Sequence, residues 1–164
     1  MIIVGIILFI VIVVVAWELI YLKSTTKEEV FVLPQNFKGI VVIAYDQKDG
    51  LDDTIEDGKF IYRIPQNGVM KLKRKEVTTL SKSWYYFEDE QGKRTILDFC
   101  FPPCEEMKNN PDKFFAYGKS NGGTENEGEE IEFTSFLVGT SHDTDSLNRA
   151  DEKLNLFEMI KSSK

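Results

Sequence analysis

KFIYRIPQNGVMKL, residues Lys59 to Leu72, places Phe60, Tyr62 and Ile64 on one side and Lys59, Ile61 and Arg63 on the other. That period of two is the signature of a strand. Pro65, Asn67 and Gly68 then supply turn chemistry and Val69 to Leu72 resumes the apolar pattern, so the stretch predicts a β-hairpin. Working outward, Val30 to Leu33 reads as a strand, Pro34 to Gly39 (PQNFKG) as a turn, and Ile40 to Tyr45 (IVVIAY) as a β-branched strand buried on both faces. Trp84 to Phe87 and Thr95 to Phe101 flank the acidic turn Glu88 to Lys93 and predict a second hairpin. Phe114 to Tyr117 and Ile131 to Gly139 add two strands around a polar loop, Gly118 to Glu130, and the parity slip between Phe133 and Phe136 suggests a bulge.

The period changes once. Leu147, Ala150, Leu154, Phe157 and Ile160 recur at helical spacing, with Asp143 or Thr144 as cap, and predict one amphipathic helix over 144–162. The expected class is therefore mainly β, α+β at the margin: an antiparallel β-sandwich with one C-terminal helix.

A different solvent is implied at the start. From Met1 to Leu22 only Glu18 interrupts an apolar or aromatic run, long enough at about 1.5 Å per residue to match a bilayer core of roughly 30 Å. Trp17, Tyr21 and Lys23 suit the headgroup boundary. No Lys or Arg precedes Lys23, which favours a retained anchor over a cleaved signal peptide. The expected organisation is a transmembrane anchor over 1–23, a tether over 24–29 and a β-rich domain over 30–164.

The 164 residues carry 27 acidic and 20 basic side chains, a formal net charge of -7. A polyanion is repelled, so no nucleic-acid partner is expected. The one basic run, KLKRK at Lys71 to Lys75, reads as a solvated edge, with lipid-headgroup contact as its functional alternative. No GxSxG, HExxH, Walker or GxGxxG motif occurs, and no cofactor is expected. His142 is the only histidine, and reads as a surface residue beside a helix start; the chain leans away from catalysis.

Cys100 and Cys104 are the only cysteines and enclose two prolines in CFPPC. A structural disulfide is the first reading. Free thiols, or a thiol-redox or copper site using Cys100, Cys104 and the distant His142, are the alternatives. The acidic loop Asp46 to Gly58 offers Asp46, Asp49, Asp52 and Asp53 to calcium, but its spacing does not fit the helix-loop-helix pattern, and a solvated loop is the simpler reading.

Phe31, Pro34, Phe37 and Gly39 before the strand Ile40 to Tyr45, then Gly58, Tyr62, Ile64, Pro65, Gly68 and Val69, together with Phe136 to Thr140, resemble a family of uncharacterised bacterial domains. Those domains sit on envelope lipoproteins and membrane-anchored proteins. The resemblance implies an envelope location and no known activity. A looser similarity links Gly58 to Leu72 to transthyretin-like sandwiches. Lys23 and Lys27 after the span argue for a cytoplasmic domain; the resemblance argues for export, and an extracytoplasmic domain on a single-pass anchor is expected. The expected function is binding or structural, with an envelope protein as partner; the alternative is a membrane-tethered thiol-redox or copper-handling protein.

Overall fold

The computed structural model describes residues 17, 28–76, 82–101 and 103–163. Nine strands form one mixed sheet: β1 (Glu28–Pro34), β2 (Gly39–Ala44), β3 (Ile55–Glu56), β4 (Lys59–Arg63), β5 (Val69–Lys71), β6 (Lys82–Glu88), β7 (Arg94–Cys100), β8 (Phe115–Asn126) and β9 (Glu129–Gly139). Their order across the sheet is β3-β4-β1-β6-β7-β8-β9-β2-β5. Among the described residues three short helices follow β7: α1 (Glu105–Asn109), α2 (Thr144–Lys153) and α3 (Leu156–Ser162), with a 3-10 turn at Ser141–Asp143 before α2. The mainly-β expectation holds.

The antiparallel sandwich does not hold. Four pairings are parallel: β1 with β4, β1 with β6, β2 with β5 and β7 with β8. The expected hairpin over Lys59 to Leu72 is corrected with it, because β4 pairs with β1 while β5 pairs with β2 at the opposite edge. The turn closes as read, with Gly68 N–H donating to the Pro65 carbonyl at 2.9 Å, yet it turns a corner between the two ends of the sheet. Period-two patterning fixes which face a side chain takes, not which strand lies beside it.

The sheet curls so that its two ends face each other. Phe31 of β1, Tyr62 of β4, Tyr85 of β6 and Phe136 of β9 are all at most 3 % exposed and share one core. The Phe31 ring stacks on Tyr62 and on Tyr85 with centroids 5.0 Å apart in each case, and meets Phe136 edge-on at 5.2 Å. The outer faces carry their own clusters: Val30, Val32 and Ile61 on one, Val42, Ala44, Ile131 and Phe133 beneath Phe157 and Ile160 of α3 on another.

Burial on both faces explains β9. Phe136 and Val138 face the inner core, Ile131 and Phe133 the outer cluster, so the parity slip needs no bulge there. The irregularity lies on β8, between Tyr117 and Ser120. The segment read as a polar loop is instead mostly strand: β8 runs to Asn126 and pairs with β9 down to Asn126↔Glu129. Its Gly, Ser, Asn and Glu residues have weak strand preference and take their conformation from β9.

The expected single helix over 144–162 is broken into α2 and α3. Leu154 is extended, and Asn155 starts afresh by accepting a hydrogen bond from Glu158 N at 3.2 Å. The expected anchor over 1–23, with Tyr21 and Lys23, lies outside the described residues but for Trp17, which is exposed. Among the described residues no helix is long and apolar enough to cross a membrane. Of the expected tether, Glu28 and Glu29 belong to β1, where Glu28 accepts from Trp84 Nε1 at 3.0 Å and pairs with Lys59 at 2.8 Å.

Candidate ligand-binding site

β7 changes neighbours along its length. Its first half is antiparallel to β6, from Glu88↔Arg94 to Tyr85↔Leu97, and its second half is parallel to β8, from Asp98↔Phe115 to Cys100↔Tyr117. The strand then stops, since Pro102 and Pro103 have no N–H to continue a ladder. Among the described residues, Lys82 to Trp84 of β6 and β8 beyond Tyr117 are left without a strand between them. An open pocket of about 420 Å³ fills that gap.

One wall is aromatic. Tyr85 stacks on Phe99 at 5.2 Å, and Phe99 meets Phe101 edge-on at 4.9 Å. Phe101 is 76 % exposed, in contrast to the other rings of the wall. It sits inside the loop that Cys100 and Cys104 close as a disulfide, with Cα atoms 5.8 Å apart. Cys104 Sγ also accepts from Met107 N at 3.3 Å, capping α1, so the bridge fixes both the ring and the helix that follows.

The facing wall is polar, and the β8 irregularity places it. Tyr117↔Leu137 and Ser120↔Ser135 are successive outer pairs, three residues apart on β8 and two on β9. The extra residue, at Gly118 (φ +66) and Lys119, reverses the parity and brings Lys119 and Asn121 to the inner side. Lys119 Nζ donates to Glu29 Oε2 and Ser83 Oγ, both at 2.8 Å, and stands 5.1 Å above the Phe31 ring. Asn121 Oδ1 accepts from Thr134 Oγ1 at 3.0 Å, which shares a second 3.0 Å bond with Tyr45 OH. The Tyr85 hydroxyl is buried with no hydrogen-bond partner among the described residues; burial pushes its ionisation up, opposed by neighbouring Ser83. Burial likewise pushes Tyr45 up to about 12.

The site is thus one opening with a flat apolar side and a hydroxyl, amide and amine side, the arrangement that small-molecule pockets share. Lys119 is already matched by Glu29, so the opening favours no net charge. Sequence reasoning missed it because its walls come from three strands whose pairing the pattern does not specify. The CFPPC prolines are the one signal that a strand ends there.

The residues singled out from sequence are arranged differently. Asp49, Asp52, Asp53 and Asp46 each face a separate cation of the KLKRK run: Lys71 at 2.9 Å, Lys73 at 3.0 Å, Arg74 at 2.9 Å and Lys75 at 4.0 Å. The acidic loop and the basic run form one ladder. His142 lies in the 3-10 turn, 3.3 Å from Asp112. Among the described residues no three His, Cys, Asp or Glu side chains are grouped to hold a metal ion.

The sequence profile described as "Family of unknown function (DUF6843)" matches residues 25–147. No curated protein matches the chain. Among solved structures, a crystal structure described as "Putative Lipoprotein from Bacillus anthracis" aligns with a TM-score of 0.52 at 16% identity, over 69% of this chain and 70% of that one. At that identity the likeness is one of fold.

Proposed function

The chain belongs to the family of unknown function DUF6843, and since the family supplies no activity, we propose from the geometry that it is a binding domain of the bacterial cell envelope whose ligand enters the opening between β6 and β8. The apolar run from Met1 to Leu22 and the lipoprotein description of the Bacillus anthracis fold relative support the address. The ligand is an uncharged sugar ring of a glycan. The observation that carries this is the Tyr85, Phe99 and Phe101 wall standing opposite the neutralised Lys119–Glu29 pair across one pocket. A pyranose lays its C–H face on an aromatic ring and offers hydroxyls at its edge, where Ser83, Asn121 and Lys119 stand. The net charge of -7 disfavours polyanionic wall polymers. The disulfide has a structural role here, presenting Phe101.

Full-length protein in detergent is tested for retention on chitin, an insoluble uncharged glycan. Retention should fall about tenfold in Phe101→Ala, a loss near 1.4 kcal/mol. No retention of the wild type, or equal retention of the variant, overturns the reading.

A further inference from the structure

A second cleft lies on the outer face of β8 and β9, where α1 and α2 approach each other. It encloses about 400 Å³. Its apolar lining comes from Met107 of α1, Leu137 of β9, Cys104 and the ring of Tyr117, the group that packs together on this face. Two polar groups there bear on what the cleft could hold. Tyr117 is 3 % exposed, and its hydroxyl is buried with no hydrogen-bond partner among the described residues. Asp151 of α2, a solvent-exposed residue, lines the same cleft, and its carboxylate makes no ion pair among the described residues. Lys108, also at the cleft, is engaged by Glu105 at 2.8 Å.

A buried hydroxyl without a partner loses free energy that a suitable ligand returns, and the solvent-exposed Asp151 carboxylate at the cleft offers a negative charge to the same ligand. A donor of positive charge on an apolar stem suits both. We propose that this cleft binds an alkylammonium group, as a lysine side chain carries. The methylenes pack on Met107, Leu137 and the Tyr117 ring, and the ammonium donates to the Asp151 carboxylate and the Tyr117 oxygen. Partial desolvation and the neighbouring Glu152 raise the Asp151 carboxyl. The acidic balance of the chain favours the approach of such a group. The site is separate from the sugar opening and does not depend on it.

The test is titration of 15N-labelled full-length protein in detergent with N-acetyl-lysine methylamide, pentylamine and N-acetyl-norleucine methylamide, followed by amide shifts. The two amines should perturb Tyr117, Leu137 and Asn148, with millimolar affinity, and the norleucine amide should not. Tighter binding of the lysine amide assigns the cleft to a peptide partner; equal or tighter binding of pentylamine assigns it to free amines. Asp151→Asn should weaken the amines at least tenfold, while Asp145→Asn on the same helix leaves them unchanged. Asp151→Asn binding like the wild type, norleucine amide binding as well as lysine, or shifts confined to other surfaces each overturn the proposal. Chitin retention that survives Asp151→Asn keeps the two sites distinguishable.

Discussion

Phe31 of β1 and Phe136 of β9 touch with ring centroids 5.2 Å apart although β6, β7 and β8 stand between their strands. In a flat sheet those strands would lie about 19 Å apart, at roughly 4.8 Å per step. The contact therefore records the curl that turns one sheet into two facing halves.

Removing that contact should open the interior. Phe31 also stacks on Tyr62 and Tyr85, so Phe31→Ala leaves a cavity against three rings and should cost about 3–5 kcal/mol. Urea unfolding measures it, and a loss below about 1 kcal/mol contradicts the packing described.

The charge ladder between the acidic loop and KLKRK should be uneven. Lys73 and Asp52 are solvent-exposed partners, and Lys73→Ala should change stability by less than about 0.5 kcal/mol. Arg74 is different: its guanidinium lies 4.6 Å from the Phe60 ring and 5.1 Å from Tyr45, donates to the Tyr62 hydroxyl, and has Nε 2.9 Å from Asp53 but out of line for a hydrogen bond. Arg74→Ala should cost about 2 kcal/mol, chiefly from lost packing. Equal effects of the two substitutions in thermal unfolding would rule out this ranking.

Gly68 and Gly92 both have positive φ, +78 and +79, but only one is crowded. A Cβ at Gly68 would stand 2.3 Å from the Ile40 carbonyl oxygen and 3.2 Å from the Phe37 ring, whereas Gly92 has nothing within 4 Å. Gly92→Ala should cost about 1 kcal/mol for backbone conformation alone. Gly68→Ala should cost at least twice that, because the Val42 N–H to Gly68 carbonyl bond joining β2 to the corner must also shift. Denaturant midpoints of the pair decide it.

Asp143 gives the fold an acid-sensitive joint. Lys38 at 2.5 Å and the Thr140 N–H and hydroxyl at 3.0 and 2.9 Å hold its carboxyl below the usual range, with Lys38 the larger influence. A depressed folded value stabilises above the unfolded pKa of about 3.9 and is lost as pH falls through the folded one. Asp143→Asn should lower stability at pH 7 and flatten its decline below pH 4. Parallel curves for wild type and variant would remove Asp143 from the acid response.

The disulfide should matter modestly for stability and strongly for the site. Closing so short a loop contributes about 2 kcal/mol in the chain-entropy picture. Cys100→Ser/Cys104→Ser should unfold at correspondingly lower denaturant and, by freeing Phe101, lose chitin retention. Retention at the wild-type level would separate the bridge from the site.

Strand positions were legible because Val30 to Leu33 and Ile40 to Tyr45 are short apolar runs rich in β-branched or aromatic residues and bounded by turn residues, and because Lys59 to Ile64 alternates with period two. Their partners were not, since β1 meets β4 and β6 in parallel through long connections that leave no local trace. Gly118 to Asn126 looked like a loop for want of side chains that prefer strands, and Asn155 was hidden inside an unbroken helical period. The binding opening was invisible for a related reason: it is a place where a strand is missing.

The position of β9 between β8 and β2 sets an order of events. Until residue 139 has left the ribosome, β2 and β5 have no edge to join, and the aromatic surface of β1 and β6 has nothing to close over it. Folding must wait for nearly the whole domain, so relative contact order is high and the rate should be slow for its size. A chain with this connectivity keeps the Phe31 and Tyr85 surface uncovered until its last strand has been made.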